Sequence, residues 1–163
     1  VRIGPAIADI GGNLLNQDQD LVGGELEDRF VKTIRVENVS PVIRDHAPKG
    51  VLPAPVNSFD LTFSEPIQLN TFTPDDVRLS GPSGAIPITD IALVSGSTYR
   101  ISFAPQAASG KYAFVAGPNI ADRGGKLLDQ DQDGIAGEPT EDAYSGSLTI
   151  DSAGPRVISK RSE

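Results

Sequence analysis

The amino-acid sequence predicts an all-β sandwich. Short segments that alternate polar and apolar residues recur through residues 38–151, with turn sequences between them. Several such strands at regular spacing within about 110 residues are typical of two packed antiparallel sheets. The 17 glycines and 13 prolines are spread along the chain, and no window carries a sustained helical stripe of apolar residues. Both observations favour strands and turns over helices.

The alternating pattern places each strand in turn. The clearest runs from Ser58 to Phe63, and the others are predicted at 76–79, 86–93, 98–103, 111–115 and 144–150. Turn residues at 64–66, 81–84, 95–97 and 108–110 separate them. One helical turn is expected at Thr73, which can cap it, with Pro74 in the first helical position.

The same alternation predicts the core and one local hydrogen bond. Tyr112 is expected near the start of its strand with its hydroxyl bonded to nearby backbone. The predicted core consists of the residues on the inward face of each strand: Phe59, Leu61, Phe63, Val77, Leu79, Ile88, Ile91, Ile101, Phe103, Tyr112 and Phe114.

A long internal repeat divides the chain. Residues 4–25 closely match residues 117–138 at an offset of 113 residues. Known solenoid units span about 20–50 residues, so this period is that of a whole domain. We therefore expect residues 1–37 to be the C-terminal part of one repeat, 38–151 a complete repeat and 152–163 the start of a third. The chain would then be a segment of a longer tandem array.

The partial first repeat raises a pairing question. Phe30, Val31, Ile34 and Val36 form an apolar closing strand that needs a partner, because two strands alone are marginal in water. The sequence offers residues 155–159 or the equivalent edge of a neighbouring molecule. We expect the first 36 residues either to be disordered or to drive association.

Composition excludes several functions. The chain has no Cys, no Trp, one His and a formal charge of −8. It therefore has no disulfides or thiol chemistry and no basic patch for nucleic acid. Its longest apolar runs are too short for a membrane span.

Several segments of the complete repeat carry a family resemblance. The strand "LTFSEP" within 53–67 and the ending "G-x-Y" followed by "I-x-D-x-x-G-x-x-L" within 110–128 are the most specific. Over residues 40–151 the chain resembles the bacterial Ig-like domains found in tandem on large exported proteins, including S-layer-type proteins. The resemblance implies an Ig-like β-sandwich in an extracellular or cell-surface protein. It also implies a structural or adhesive role without catalytic residues.

An acidic loop before the last strand has the spacing of a calcium site. Asp129, Asp131 and Asp133 alternate and are followed by Gly134, which places hard oxygen ligands around a tight turn. Nearby carboxylates and one carbonyl would complete the shell of a bound Ca²⁺. The predicted ligands are Asp129, Asp131, Asp133, Glu138, Glu141 and the carbonyl of Ile135, with Asp142 also close enough to contribute.

The alternative is a solvated acidic loop. Carboxylates about 7 Å apart in water repel by only roughly 0.6 kcal/mol per pair, so charge crowding alone does not require an ion. The equivalent loop of the first repeat is a weaker candidate because Leu21 replaces the turn glycine. Its predicted ligands are Asn16, Asp18, Asp20 and Glu27.

The remaining polar residues have structural interpretations. His46 is expected on the surface of a Pro-rich linker, without a second His or a Cys to form a catalytic pair. The pairs at 64–65 and 75–76 suit turn and cap positions better than glycoside cleavage. Asp9 and Asp122 precede glycine pairs, where Asp usually caps a turn, and calcium ligation is the alternative.

Two function classes follow. The first is a non-catalytic structural or adhesive module that contacts neighbouring Ig-like modules and a cell-surface protein or glycan. The second is an ancillary carbohydrate-binding module of a secreted enzyme. Glycan binding generally uses exposed aromatic platforms, and the three Tyr and six Phe are mostly spaced as core residues. An enzymatic function for the chain itself is the least expected.

Overall fold

The computed structural model describes residues 1–34 and 38–155. The chain divides into two compact units, Val1–Glu37 and Asn38–Glu163. Val36 and residues 156–163, which include most of the partner strand considered above, lie outside the described residues. Among the described residues, none belongs to a helix with the length and hydropathy of a membrane span.

The second unit is an all-β sandwich, as the sequence predicts. Its strands are β3 (Ile43–Ala47), β4 (Val51–Pro53), β5 (Val56–Phe63), β6 (Val77–Gly81), β7 (Gly84–Ile86), β8 (Ile88–Ser95), β9 (Thr98–Gln106), β10 (Gly110–Ala116) and β11 (Tyr144–Asp151). One sheet has the strand order β4-β11-β10-β6-β7, and the other has the order β3-β5-β9-β8.

The core lies between the two sheets. Phe59 of β5 stacks on Phe114 of β10 across the sandwich, with ring centroids 4.2 Å apart. The predicted core residues are buried, except that Ile88 and Ile91 are only partly buried because β8 is the edge of its sheet. The core also contains residues that the predicted set leaves out: Ile43, Ile67, Phe72, Tyr99, Ala116, Ile120, Leu128, Leu148 and Ile150.

The prediction of one strand over 86–93 is wrong. The chain crosses between the sheets at Pro87, with β7 paired to β6 on one side and β8 paired to β9 on the other. Proline has no backbone N–H to donate to a ladder, so it suits this crossing better than a strand interior.

Two smaller predictions are confirmed. A 3₁₀ turn covers Pro74–Asp76, and a capping box joins Thr73 to Asp76, whose Oδ2 accepts from the Thr73 N–H at 2.8 Å. Asp76, the second residue of the acidic pair at 75–76, therefore caps this helical turn. The hydroxyl of Tyr112 donates to the carbonyl of Ala108 at 2.9 Å, the predicted local bond.

The first strand of the sandwich changes sheets. Strand β3 pairs antiparallel with β5, and after a crossing at 48–50 strand β4 pairs parallel with β11. The expectation that His46 lies on a linker surface is wrong, because it belongs to β3 and is half-buried. Its ring packs edge-on against Phe114, and its Nδ1 lies 2.8 Å from the Tyr144 hydroxyl. His46 thus connects the two sheets.

The first unit is a small two-stranded fold. Strand β1 (Arg2–Ile3) pairs antiparallel with β2 (Phe30–Val31), in the register Arg2 to Val31 and Ile3 to Phe30. The residues at the equivalent positions of the second repeat lie in β10 and β11, and these two strands pair in the same register as β1 and β2. The predicted closing strand is therefore shorter than expected, and Ile34 lies beyond it and is exposed.

Candidate metal site

The acidic loop belongs to the long connection between β10 and β11. Leu128, which precedes Asp129, is fully buried in the core. Its N–H donates to the carbonyl of Ile120 at 3.0 Å, and its carbonyl accepts from the N–H of Gly137 at 2.8 Å. A core residue thus fixes the position at which the acidic loop begins.

Asp129 is only 8% exposed and has one carboxylate oxygen without a partner. Its Oδ2 accepts from the N–H of Gly134 at 3.1 Å, where a φ of +92° makes the glycine favourable. Its Oδ1 is buried and has no hydrogen-bond partner among the described residues. Leaving a buried polar group without a hydrogen-bond partner costs about 1–3 kcal/mol, and leaving a charged oxygen unpaired costs more. This atom therefore requires a partner such as a cation.

Asp142 holds the two ends of the loop together. This side chain is fully buried, and its Oδ1 accepts from the N–H of Gln130 at 2.6 Å. Its Oδ2 accepts from the N–H of Glu138 at 2.8 Å. These charge-assisted bonds orient the carboxylate toward the start of the acidic loop.

Two overlapping groups of carboxylates could hold an ion. Asp129, Asp131 and Asp142 can bring ligand oxygens within 4.8 Å of one another, and so can Asp131, Asp133 and Glu138. Only oxygen ligands are present, which suits a hard cation such as Ca²⁺. Burial raises the pKa of Glu138, and the negative charges of neighbouring carboxylates raise it further.

The other predicted ligands are placed differently. Asp131 and Asp133 close turns by accepting from the N–H groups of Asp133 and Ile135 at 3.2 and 2.8 Å. The side chain of Ile135 is exposed. Glu141 belongs to neither carboxylate group, and its Oε2 accepts from the hydroxyl of Thr140 at 2.6 Å. Asp142, which the sequence also offered as a ligand, belongs to one of the two carboxylate groups, whereas Glu141 belongs to neither.

The first repeat forms the same loop around Asp28. Asp28 is fully buried and accepts from the N–H groups of Gln17 and Glu25 at 2.6 and 3.1 Å. Burial raises the pKa of Asp28, but these and neighbouring backbone hydrogen bonds outweigh it and hold the pKa below its ordinary value. The Oδ1 of Asn16 is buried without a partner among the described residues, as is the Oδ1 of Asp129.

The missing glycine does not change the backbone of this loop. Leu21 has a φ of +92°, the same value as Gly134. A side chain in this left-handed region is strained, so the first loop keeps its shape at a cost in free energy. The carboxylates Asp18 and Asp20 remain, while Glu27 is exposed.

Asp9 and Asp122 both cap turns, as predicted. The Oδ1 of Asp9 accepts from the N–H groups of Gly11 and Asn13 at 2.8 and 2.9 Å. The Oδ1 of Asp122 accepts from the N–H of Lys126 at 2.8 Å. The hydrogen bonds that the Asp9 carboxylate accepts from Asn13 lower the pKa of Asp9.

A comparison with solved structures shows that the chain shares its fold with a surface layer protein. No family model and no curated protein matches the chain. Domains 1–6 of the surface layer protein SbsC match 76% of this chain with 15% identity and a TM-score of 0.50. The match covers 15% of that protein's chain. The methionine-rich copper resistance protein PcoC from Escherichia coli matches 69% of this chain and 100% of its own, with 15% identity and a TM-score of 0.44.

Proposed function

We propose that the chain is a non-catalytic Ig-like module of a large extracellular bacterial protein. In this proposal it serves as a structural and adhesive unit at the cell surface, joined to neighbouring Ig-like modules and stabilised by Ca²⁺. The fold shared with surface layer domains and the repeated loop support the architecture. The observation that carries the calcium assignment is the buried, unpartnered Oδ1 of Asp129 beside two further carboxylates.

The positions of the aromatic residues favour this module over a carbohydrate-binding one. Two of the three Tyr and five of the six Phe are buried in the core, Tyr144 is half-buried, and Phe30 is 43% exposed. A flat aromatic platform for sugar rings is therefore not formed by the described residues. A glycan array tests the alternative, and a clear hit on one polysaccharide would favour it.

The calcium proposal predicts metal-dependent stability. An ion that binds only the folded loop adds about 2.7 kcal/mol to the free energy of unfolding when its concentration is a hundred times Kd. Extracellular sites often have Kd values of about 10⁻⁴–10⁻³ M, so about 10 mM Ca²⁺, which is about ten to a hundred times Kd, should give a higher melting temperature than EDTA. Calorimetric titration should give a matching Kd.

Matched variants locate the effect. Replacing both Asp129 and Asp131 with Ala should abolish the calcium dependence. Replacing Asp90, an exposed acidic residue on the edge strand β8, with Ala should leave it unchanged. Equal melting temperatures of the unmodified chain in EDTA and in millimolar Ca²⁺ would rule out the calcium site.

A further inference from the structure

We infer that the acidic loop is a metal-dependent clamp on the segment through which the chain enters the sandwich. This inference rests on the proposed calcium site. It assigns a specific role to Gln130, which is not itself a ligand: Gln130 transmits the state of the carboxylates to the start of β3.

The clamp consists of direct contacts between the loop and residues 41–43. The N–H of Asp129 donates to the carbonyl of Pro41 at 3.2 Å. The side-chain amide of Gln130 contacts both backbone groups of Ile43, with its Oε1 accepting from the N–H at 2.9 Å and its Nε2 donating to the carbonyl at 3.2 Å. Gln130 thus pairs with Ile43 as the backbone of a neighbouring strand would.

The carboxylates control the position of Gln130. It lies between Asp129 and Asp131 in the sequence, and its own N–H donates to Asp142 at 2.6 Å. Asp129, Asp131 and Asp142 are the first of the two carboxylate groups that could hold an ion. Without a cation, three carboxylates within 4.8 Å of one another repel, and an opening of the loop relieves that repulsion. A cation removes the repulsion and pairs the free oxygen of Asp129, which holds Gln130 against Ile43.

The anchored segment is the entry of the chain into the core. Pro41 and Ile43 are buried, whereas Arg44 and Asp45 immediately after them are exposed. The N–H of Val42 is held separately by the hydroxyl of Ser64 at 3.1 Å. Ile43 therefore depends on Gln130 at the point where residues 38–43 bring the chain into this unit. Calcium concentration would set how firmly this entry is held.

The first repeat carries a glutamine at the same position of its loop. Gln17 lies between Asn16 and Asp18, and its N–H donates to the buried Asp28 at 2.6 Å. The loop thus preserves the glutamine, its backbone bond and the unpartnered oxygen of the residue before it. The preserved glutamine is expected if the loop has an anchoring role in each copy.

Amide hydrogen exchange on the whole chain tests the clamp. Saturating Ca²⁺ should slow the exchange of the Ile43 amide by about tenfold relative to EDTA, because exchange reports local opening. Gln130→Ala should abolish this slowing at Ile43 while calorimetry still shows Ca²⁺ binding. Gln132→Asn is the control, since this exposed residue of the same loop has a φ of +65° that Asn tolerates. It should retain the slowing.

The outcomes separate the clamp from the metal site. If Ca²⁺ binds but the exchange of Ile43 is unchanged, the clamp is wrong and the metal site stands. If Gln130→Ala still shows the slowing, Gln130 does not transmit it, and the clamp is again wrong. If calorimetry detects no Ca²⁺ binding to the unmodified chain, the metal site and the clamp are both wrong. Unchanged exchange at Phe59 and Ile101 in the central strands would confirm that each variant remains folded.

Discussion

At the scale of single residues, Asp142 stabilises the acidic loop independently of any ion. Its two oxygens accept from the backbone of Gln130 and Glu138 at the two ends of the loop. Each hydrogen bond to a charged group contributes about 1.5–3 kcal/mol. Asp142→Ala should therefore lower the free energy of unfolding by about 3 kcal/mol or more in EDTA, measured by urea denaturation. Asp142→Asn, which keeps one acceptor oxygen, should lose less, and equal losses in the two variants would contradict this role.

Leu21 provides a second test at the residue scale, because its left-handed backbone is strained. Leu21→Gly should stabilise the first loop by about 1 kcal/mol after the greater chain entropy of glycine is subtracted. The N–H of Gly24 donates to the carbonyl of Leu15 at 2.9 Å, so its amide exchange reports the change. Gly134→Leu should produce the opposite effect at Gly137. Faster exchange at Gly24 in the Leu21 variant would show that the leucine is not strained.

At the scale of elements, His46 and Tyr144 join the first and last strands of the sandwich. The Nε2 of His46 lies 3.3 Å from the carbonyl of Ser147, also in β11. A ring protonated on Nε2 donates to that carbonyl and accepts from the Tyr144 hydroxyl. The pair therefore connects β3 of one sheet to β11 of the other.

This pair predicts a loss of stability at alkaline pH. Burial raises the pKa of Tyr144; the charge of Asp45 raises it further, while that of Lys49 lowers it. The neutral hydroxyl is thus favoured in the folded state. The contribution of this neutral hydroxyl to the free energy of unfolding is fully present below the pKa of Tyr in the unfolded chain, about 10. It is lost as the pH rises through the higher pKa of the folded state. Tyr144→Phe should cost about 1 kcal/mol at pH 7 in urea denaturation. The difference from the unmodified chain should shrink above pH 10, and a constant difference would contradict the linkage.

The elements also show which parts of the structure the sequence predicts. Strands such as β5 and β10 have a period of two because one face is buried, so alternation identifies them. The segment 41–53 has no such alternation because it changes sheets, and its two strands were missed. In the loop, the spacing of Asp129, Asp131 and Asp133 indicated a metal site. The contact of Gln130 with Ile43 joins residues 87 positions apart and has no local signal, although the recurrence of Gln17 and Gln130 in both repeats was available.

At the scale of the whole chain, the first unit exposes residues whose repeat equivalents form the core of the second. Val1, Ile7 and Ile34 are 62%, 47% and 64% exposed. Their equivalents Phe114, Ile120 and Leu148 are 1%, 0% and 2% exposed. Such a concentration of exposed apolar side chains promotes association. The partner expected from the sequence lies largely outside the described residues, so the association itself has to be measured.

Deletion of residues 1–37 should remove this association and leave the sandwich intact. The core residues of the sandwich all belong to the second unit, so the shortened chain should unfold cooperatively at an unchanged melting temperature. Light scattering should give a monomer mass for it and a larger mass for the full chain. A full chain carrying both Ile7→Ser and Ile34→Ser is the matched control, and it should also approach the monomer mass because the apolar face is interrupted. If the unmodified full chain is monomeric and amide exchange shows residues 1–34 protected, the apolar residues of the first unit have found partners within the same molecule.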